Sequence, residues 1–239
     1  MASLHHATLI AALTFVVLVS GAGLVPITGA TSVGGQAVSL QSDAIDAMGS
    51  VDSYRTVTNL DVSTGANRTF TNETTLVNRS TVATSVYSTD GNDTTHRVGG
   101  QAYRNTSDGW QTVPGGFDGR NDPAREQMAL LNDSQVADFQ RARTDGQPTY
   151  HLELAPRNNT LAAILVEQPG NGIDRAAPVT VLDRSYDVFL NRTTHRIQRV
   201  EMTLKFRNRG EIGRATMVTW FSGYNETVPT VPTRLQSDG

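Results

Sequence analysis

The sequence predicts a mainly β protein of the α+β class, in which a curved antiparallel sheet carries short helices on its concave face. Segments that alternate apolar and polar residues recur along the chain, as in antiparallel sheets with one buried and one solvated face. One short helical segment, residues 158–168, is apolar on every side and must be buried on most of them. In a chain rich in strands, a curved sheet wrapped around that helix is the arrangement that buries it best.

The composition fits one domain of moderate size. The 239 residues are 38% hydrophobic and 18% charged, which allows one core and excludes collagen-like and strongly charged disordered chains. A net charge of −3 provides no basic field that would attract nucleic acid. The absence of Cys excludes disulfides, thiolate metal ligands, a Cys nucleophile and a lipidated N-terminal cysteine.

Residues 1–30 are interpreted as a signal peptide or an N-terminal membrane anchor. No Asp, Glu, Lys or Arg precedes Asp43, and the apolar run at residues 9–19 has the length of a signal-peptide core. Extended to residue 27, the run reaches about 19 residues, which is enough to span a bilayer. Small residues follow it, as a signal peptidase requires. Both alternatives place the remaining chain outside the cytoplasm, secreted or anchored to the outer face of the cell membrane.

Nine Asn-x-Ser/Thr sequons support export. They are roughly three times as frequent as the Asn, Ser and Thr content alone would produce, and such sites accept glycans on exposed segments of exported proteins. The glycosylation candidates are Asn67, Asn72, Asn78, Asn92, Asn105, Asn132, Asn158, Asn191 and Asn225.

The first half of the chain beyond the targeting segment contains one helix and then strands. Residues 31–38 are interpreted as a flexible linker. Apolar residues at helical spacing, with Gly49 at the end, predict a helix over residues 39–49. Alternation and a Thr/Val-rich composition then predict five strands, at residues 54–62, 69–77, 81–88, 97–104 and 109–113.

The second half contains two helices and a meander. Asp122 as the cap and Pro123 in the first turn start a helix that ends near residue 132. Residues 134–143 are ambiguous. The apolar third helix, residues 158–168, and four further strands at residues 150–154, 179–190, 195–207 and 212–221 follow from the same rules. Residues 39–232 therefore form a single predicted β domain, with residues 233–239 as a tail.

No residue pattern indicates catalysis or metal binding. The His residues beyond the targeting segment, His96, His151 and His195, are isolated and lack the close spacing of zinc ligands. A Gly-x-Ser-x-Gly elbow and a phosphate-binding loop with a following Lys are absent. Residues 118–122 lack the acidic spacing and the closing Glu of a calcium loop. We predict no enzyme activity, no metal site and no cofactor.

Five large apolar residues are candidates for the lining of a hydrophobic cavity. They are Trp110, Leu161, Ile164, Leu165 and Trp220. Curved antiparallel sheets commonly enclose ligand cavities, and the combination of an apolar helix with an amphipathic meander favours one here. The alternative, that each of these side chains packs in an ordinary core, stays open.

Several short motifs, taken in order, resemble a known superfamily. They are Val51-Asp-Ser-Tyr54, Val98-Gly-Gly-Gln-Ala-Tyr103, Asp108-Gly-Trp110, Tyr150-His-Leu-Glu-Leu154 and Trp220-Phe-Ser-Gly-Tyr-Asn225. Over residues 39–232 the chain resembles the periplasmic lipoprotein carriers and mycobacterial lipid-binding lipoproteins, in particular their archaeal lipoprotein-like relatives. The resemblance implies a half-open β-barrel with helices on its concave face and a hydrophobic cavity that carries acyl chains across the envelope. Members usually carry a lipidated Cys, so attachment of this chain to a membrane would depend on residues 9–27.

These observations predict an exported cell-envelope protein that binds a lipid or other hydrophobic ligand in a concave apolar cavity. The alternative is an extracellular glycoprotein sensor or interaction domain of the same fold, without a ligand. The predicted partners are a lipid or acyl chain and, where the N-terminal segment is uncleaved, the membrane. Nucleic acid is not among them, and the sequence identifies no protein partner.

Overall fold

Eleven antiparallel strands form one sheet in the computed structural model, which describes residues 33–88, 94–106, 108–117, 122–167, 173 and 176–229. These residues belong to one compact unit, Thr31–Gly239. The predicted signal peptide or anchor, residues 1–30, and the predicted tail lie outside the described residues. Among the described helices, none is long and apolar enough to cross a membrane.

The elements alternate little between helix and strand: one helix comes first, and two further helices separate three runs of strands. The three helices are α1 (Val33–Gly49), α2 (Pro123–Asp133) and α3 (Asn158–Glu167). The first six strands are β1 (Ser53–Thr64), β2 (Asn67–Asn78), β3 (Ala83–Ser88), β4 (Thr94–Val98), β5 (Gln101–Thr106) and β6 (Gly109–Val113). The last five are β7 (Gln135–Thr144), β8 (Gln147–Ala155), β9 (Val179–Asn191), β10 (Ile197–Asn208) and β11 (Glu211–Ser222).

The sheet consists of two meanders joined through the first and the last strand of the chain's strand order. Its order is β6-β5-β4-β3-β2-β1-β11-β10-β9-β8-β7, so β1 pairs with β11 and the two runs continue outward from there. The strands β6 and β7 are the two edges, and the curved sheet does not close into a barrel. The predicted fold class, a mainly β protein with a curved antiparallel sheet and short helices, is confirmed.

Alternation along the strands separates two faces of the sheet. On β10 the side chains of Val200, Met202, Leu204 and Phe206 are buried, and the residues between them face the other way. We call the first face the helix face, because all three helices pack on it in one cluster of buried apolar residues. The other is the outer face. Gly213 on β11 is needed on the helix face, because a Cβ at that position would overlap the ring of Phe206.

Polar contacts at Asp122 fasten α1 and α2 to the helix face. Its carboxylate caps α2 by accepting hydrogen bonds from the backbone N–H groups of Ala124 and Arg125, at 3.0 and 3.2 Å. It also accepts one from Tyr54 Oη and one from Arg79 Nε, the latter at 2.7 Å. Arg79 Nη1 in turn donates to carbonyl oxygens at the end of α1. One buried carboxylate therefore ties two helices to β1 and to the turn after β2.

Three local predictions differ from the structure. The first helix begins at Val33, so residues 33–38, predicted to be a linker, are helical. The predicted strand at residues 97–104 is a hairpin, because Gly99 adopts φ +55° and turns β4 into β5. The ambiguous residues 134–143 belong to the edge strand β7, where one face is exposed to solvent and the apolar pattern is weak.

Candidate ligand site beneath the apolar helix

The helix α3 lies on β9 and buries three large apolar side chains in the core. Leu161 and Leu165 are completely buried, and Ile164 is 8% exposed. Ala162 and Val166 are half-buried and pack against the same cluster. A six-residue apolar stretch therefore leaves only Ala163 exposed, as expected for a helix without a polar face.

The floor beneath α3 is apolar. The part of β9 that faces it includes Val181, Tyr186 and Val188, all buried on the helix face. Tyr186 is completely buried, and its hydroxyl donates a hydrogen bond to Gln127 Oε1 on α2. Burial raises the pKa of Tyr186 well above its ordinary value, so this group stays neutral. The region can therefore hold apolar groups without an opposing charge from Tyr186.

Polar side chains surround the start of α3. A pocket of about 420 Å³ lies there, where the end of α2, the start of β7 and the end of β8 meet. Its lining is Asn132, Asp133, Ser134, Gln135, Ala155, Pro156, Arg157 and Arg184. Sequence reasoning missed this pocket, because its residues come from α2, three strands and the connections next to them, and meet only after the strands pair. The one signal in the sequence is the polar stretch Asp183-Arg-Ser185 inside an otherwise apolar strand.

Trp110 lies on the outer face, away from α3. Its ring packs against that of His96, with centroids 5.0 Å apart and planes tilted by 36°. The His96 Nδ1 lies 2.7 Å from Ser85 Oγ, and burial lowers the pKa of His96. On β5, Tyr103 pairs with His96 and Asn105 pairs with Trp110, so the rings of His96 and Trp110 lie on the same face of the sheet as Tyr103 and Asn105. The buried Ala102 lies on the opposite face.

Trp220 also lies on the outer face. Its neighbours on β11, Thr219 and Phe221, are buried on the helix face, so strand alternation turns Trp220 the other way. The guanidinium of Arg199 lies 5.6 Å from the centre of the Trp220 ring and 5.7 Å from that of Phe189. These are cation–π contacts on the exposed side of the sheet.

The five predicted lining residues therefore form two groups. The structure brings together Leu161, Ile164 and Leu165, and it places Trp110 and Trp220 on the opposite face. The physical reason is the two-residue period of a strand, which allows only one of two adjacent large apolar residues to face the helices. The candidate lining is reduced to the three helical residues.

Eight of the nine sequon asparagines lie within the described residues, and Asn92 lies outside them. The exposed ones are Asn67, Asn132, Asn158 and Asn225, and the half-buried ones are Asn72, Asn78, Asn105 and Asn191. Two of the exposed ones, Asn132 and Asn158, adjoin the polar pocket, since Asn132 lines it and Asn158 contacts Arg184. Glycosylation at all nine positions stays a prediction.

Among the described residues, no group of three or more His, Asp or Glu side chains could hold a metal ion. One compact polar arrangement on the outer face is centred on His151, whose Nε2 lies 2.7 Å from Asp187 Oδ1 and whose Nδ1 lies 2.8 Å from Gln140 Nε2. The His151 ring is stacked on Phe189, with centroids 4.6 Å apart and planes within 7°. Both ring nitrogens of His151 therefore contact neighbouring side chains and its ring packs on Phe189. This geometry favours binding of an apolar group at α3 over chemistry at His151.

No sequence profile of a protein family matches the chain, and no curated protein matches it. Among solved structures it is similar to lipoprotein LppX of Mycobacterium tuberculosis, with 12% identity, a TM-score of 0.49, and coverage of 82% of this chain and 98% of that one. LprF of Mycobacterium bovis gives 12% identity, a TM-score of 0.48, and coverage of 82% and 96%. A LolA superfamily protein of Nitrosomonas europaea gives 11% identity, a TM-score of 0.32, and coverage of 83% of this chain and 96% of that one. At these identities and TM-scores the similarity does not assign the chain to a family, so the resemblance found in the sequence, including its archaeal part, stays a prediction.

Proposed function

We propose that this chain is an exported cell-envelope protein that binds the acyl chain of a lipid, or a similar hydrophobic ligand, between α3 and the helix face of the sheet. The observation that carries the proposal is α3 itself, a ten-residue helix with apolar side chains on every side. A helix of this kind is stable only against apolar surroundings. An apolar ligand provides the same surroundings when it takes the place of a protein neighbour.

Binding would be driven by removal of apolar surface from water, worth about 25 cal/mol per Å². The ligand would enter by moving α3 aside, because Leu161 and Leu165 are completely buried. Two side-chain hydrogen bonds fasten the start of the helix, from Thr160 Oγ1 to Asp133 at 2.9 Å and from Arg184 to Asn158 Oδ1 at 2.6 Å. The start of α3 is therefore the fixed end in this proposal, and its apolar end gives way to the ligand.

Native mass spectrometry of the protein purified from its own membrane or medium tests the proposal. We expect a mass excess that persists under native conditions and disappears on organic extraction. The denatured mass of the same sample shows whether residues 1–30 have been removed and whether glycans are attached, which tests the proposed export. An apo mass with glycan increments alone would contradict ligand binding.

A pair of variants on the same helix separates binding from folding. Leu165→Asp places a charge at a completely buried position, and Ala163→Asp places the same charge at an exposed one. We expect Leu165→Asp to abolish uptake of a fluorescent fatty acid or to unfold the protein, because an unpaired buried charge is strongly unfavourable. We expect Ala163→Asp to retain both properties. If Leu165→Asp changes neither uptake nor stability, α3 is not the buried element of the site.

A second candidate function, an interaction domain without a ligand, is favoured by a row of side chains across the outer face. The strand pairing places His151, Phe189, Arg199 and Trp220 directly opposite one another on four adjacent strands. All four are half-buried, and together they form a continuous aromatic and cationic surface. Trp and Arg are enriched at protein interfaces. Two results together would favour this candidate: a native mass without ligand, and loss of a protein partner from the outer-face variant Trp220→Ala.

A further inference from the structure

We infer that the polar pocket at the start of α3 binds the anionic head group of an amphiphile, a carboxylate or a phosphate, whose apolar part lies beneath α3. The inference rests on the proposed function and adds to it the chemical class of the ligand. It is carried by the charge balance of the pocket and by the position of Arg184 between polar and apolar surroundings.

The acidic side chain in the pocket is already neutralised. Asp133 Oδ1 lies 3.2 Å from Arg157 Nε, and Asp133 Oδ2 accepts a hydrogen bond of 2.9 Å from Thr160 Oγ1. Both carboxylate oxygens are therefore engaged by groups of the chain itself. The charge of Asp133 is balanced within the pocket by Arg157.

Arg184 is the cation of this pocket that lacks an acidic partner. Its Nη1 donates to the neutral amide oxygen of Asn158 at 2.6 Å, and no carboxylate among the described residues forms an ion pair with it. A guanidinium carries five N–H donors in a planar fork that matches a carboxylate or a phosphate. Because the charges of Arg157 and Asp133 cancel, the pocket retains the positive charge of Arg184. Arg184 also retains N–H donors that no described residue engages. The adjacent start of α3 adds the positive end of its helix dipole, which also favours an anion.

Arg184 also adjoins the apolar region. On β9 it lies opposite Leu204 of β10 and two residues before Tyr186, which lies opposite Met202, so its side chain emerges on the helix face. Its hydrogen-bond partner Asn158 is the first residue of α3, and Leu161 is buried about one turn further along. A ligand with its anionic group at Arg184 would therefore direct its apolar part along α3, whose ten residues extend about 15 Å.

The test compares two fluorescent probes of identical chain length, a fatty acid and its methyl ester, at a pH where the acid is ionised. Each is titrated into the wild-type chain, Arg184→Gln and Arg207→Gln. Arg207 is an exposed residue on the outer face of β10, so its variant removes the same charge far from the pocket. The ratio of acid affinity to ester affinity is the readout, because the ester reports on the apolar site and on folding in every variant.

We expect the ratio to fall about tenfold in Arg184→Gln, as for loss of a hydrogen-bonded charge pair, and to be unchanged in Arg207→Gln. An unchanged ratio in Arg184→Gln, with the ester still bound, would overturn the inference and leave the proposed function intact. Failure of both probes to bind the wild-type chain would overturn the two together.

Inorganic phosphate and acetate distinguish a free anion from a head group. Each is titrated alone into the wild-type chain, and the Arg184 Nε–H signal is followed by NMR. We expect neither ion to perturb that signal at concentrations at which the fatty acid saturates it, because the apolar part contributes most of the affinity. Saturation of the signal by phosphate or acetate at the same concentrations would show a site for a small free anion and would overturn the amphiphile as its ligand.

Discussion

Replacement of Asp122 by alanine removes the carboxylate that holds α1 and α2 against the sheet. The side chain is 1% exposed and accepts hydrogen bonds from Tyr54, Arg79 and two backbone N–H groups of α2. Burial and the neighbouring carboxylate raise the pKa of Tyr54, so its hydroxyl stays a donor and would lose its acceptor in the variant. Arg79 would keep its two carbonyl contacts at the end of α1 but lose its counter-ion.

The expected loss follows from these contacts. Removal of the cap at the start of α2 costs about 1 kcal/mol. An unpaired guanidinium left in a buried site costs about 3–5 kcal/mol, and less here because the Arg79 side chain is 16% exposed and can reach water. The two contributions share one carboxylate and are not additive, so we expect the free energy of unfolding to fall by about 3 kcal/mol in Asp122→Ala.

Urea unfolding followed by circular dichroism measures that loss. The matched control is Asp61→Ala, which removes a carboxylate that also pairs with an arginine, Arg68, but on the surface of β1 and β2. Exposed pairs contribute little to stability, so the control should stay close to the wild-type midpoint. If Asp122→Ala loses no more stability than Asp61→Ala, the buried carboxylate does not fasten the helices.

Two further predictions concern packing and pH. Gly213→Ala should lower the free energy of unfolding by about 1–3 kcal/mol, because a Cβ at that position overlaps the Phe206 ring. The control Gly49→Ala should not lower it, because a Cβ there has nothing within 4 Å. Equal urea midpoints for the two variants would contradict this packing. Burial lowers the pKa of His96, so on acidification the unfolded chain takes up a proton at His96 before the folded chain does. The stability that neutral His96 contributes should therefore be fully present above about pH 6.5 and fall as the pH drops further. Melting temperatures of the wild-type chain and His96→Gln between pH 7.5 and pH 5 check this, and an equal slope in both would show that His96 is not responsible.

Strand alternation was visible in the sequence wherever one face of a strand is fully buried. Strand β10 was predicted from the alternation of Val200, Met202, Leu204 and Phe206, and the structure buries these four side chains. Edge strand β7 was not predicted, because its pattern is weak where Phe139 and Val136 are only half-buried. The hairpin at Gly99 was missed because its two strands are short and were taken as one, although the Gly99-Gly100 pair between them is a turn signal.

The candidate site could be predicted only as far as it is local in sequence. Leu161, Ile164 and Leu165 lie within one helix, so the absence of a polar face was enough to identify them. Trp110 and Trp220 were assigned to the same lining because they are large and apolar, but their side of the sheet depends on the register with neighbouring strands. The pocket around Arg184 depends on the pairing of β8 with β9, which no local pattern specifies.

The two faces of the sheet therefore support different functions, and the distribution of arginines distinguishes them. On the outer face Arg199 lies between two aromatic rings and is paired with Glu201, which balances its charge, although its buried Nε has no hydrogen-bond partner among the described residues. On the helix face the exposed guanidinium of Arg184 donates to a neutral amide, forms no ion pair with a carboxylate of the described residues, and lies at the start of the apolar helix α3. Because Arg184 is exposed, a ligand anion would replace water at its guanidinium and would not have to relieve a buried charge. A ligand that brings both an anion and an apolar chain can contact Arg184 and the apolar side chains of α3 together, which is why we place the ligand on the helix face.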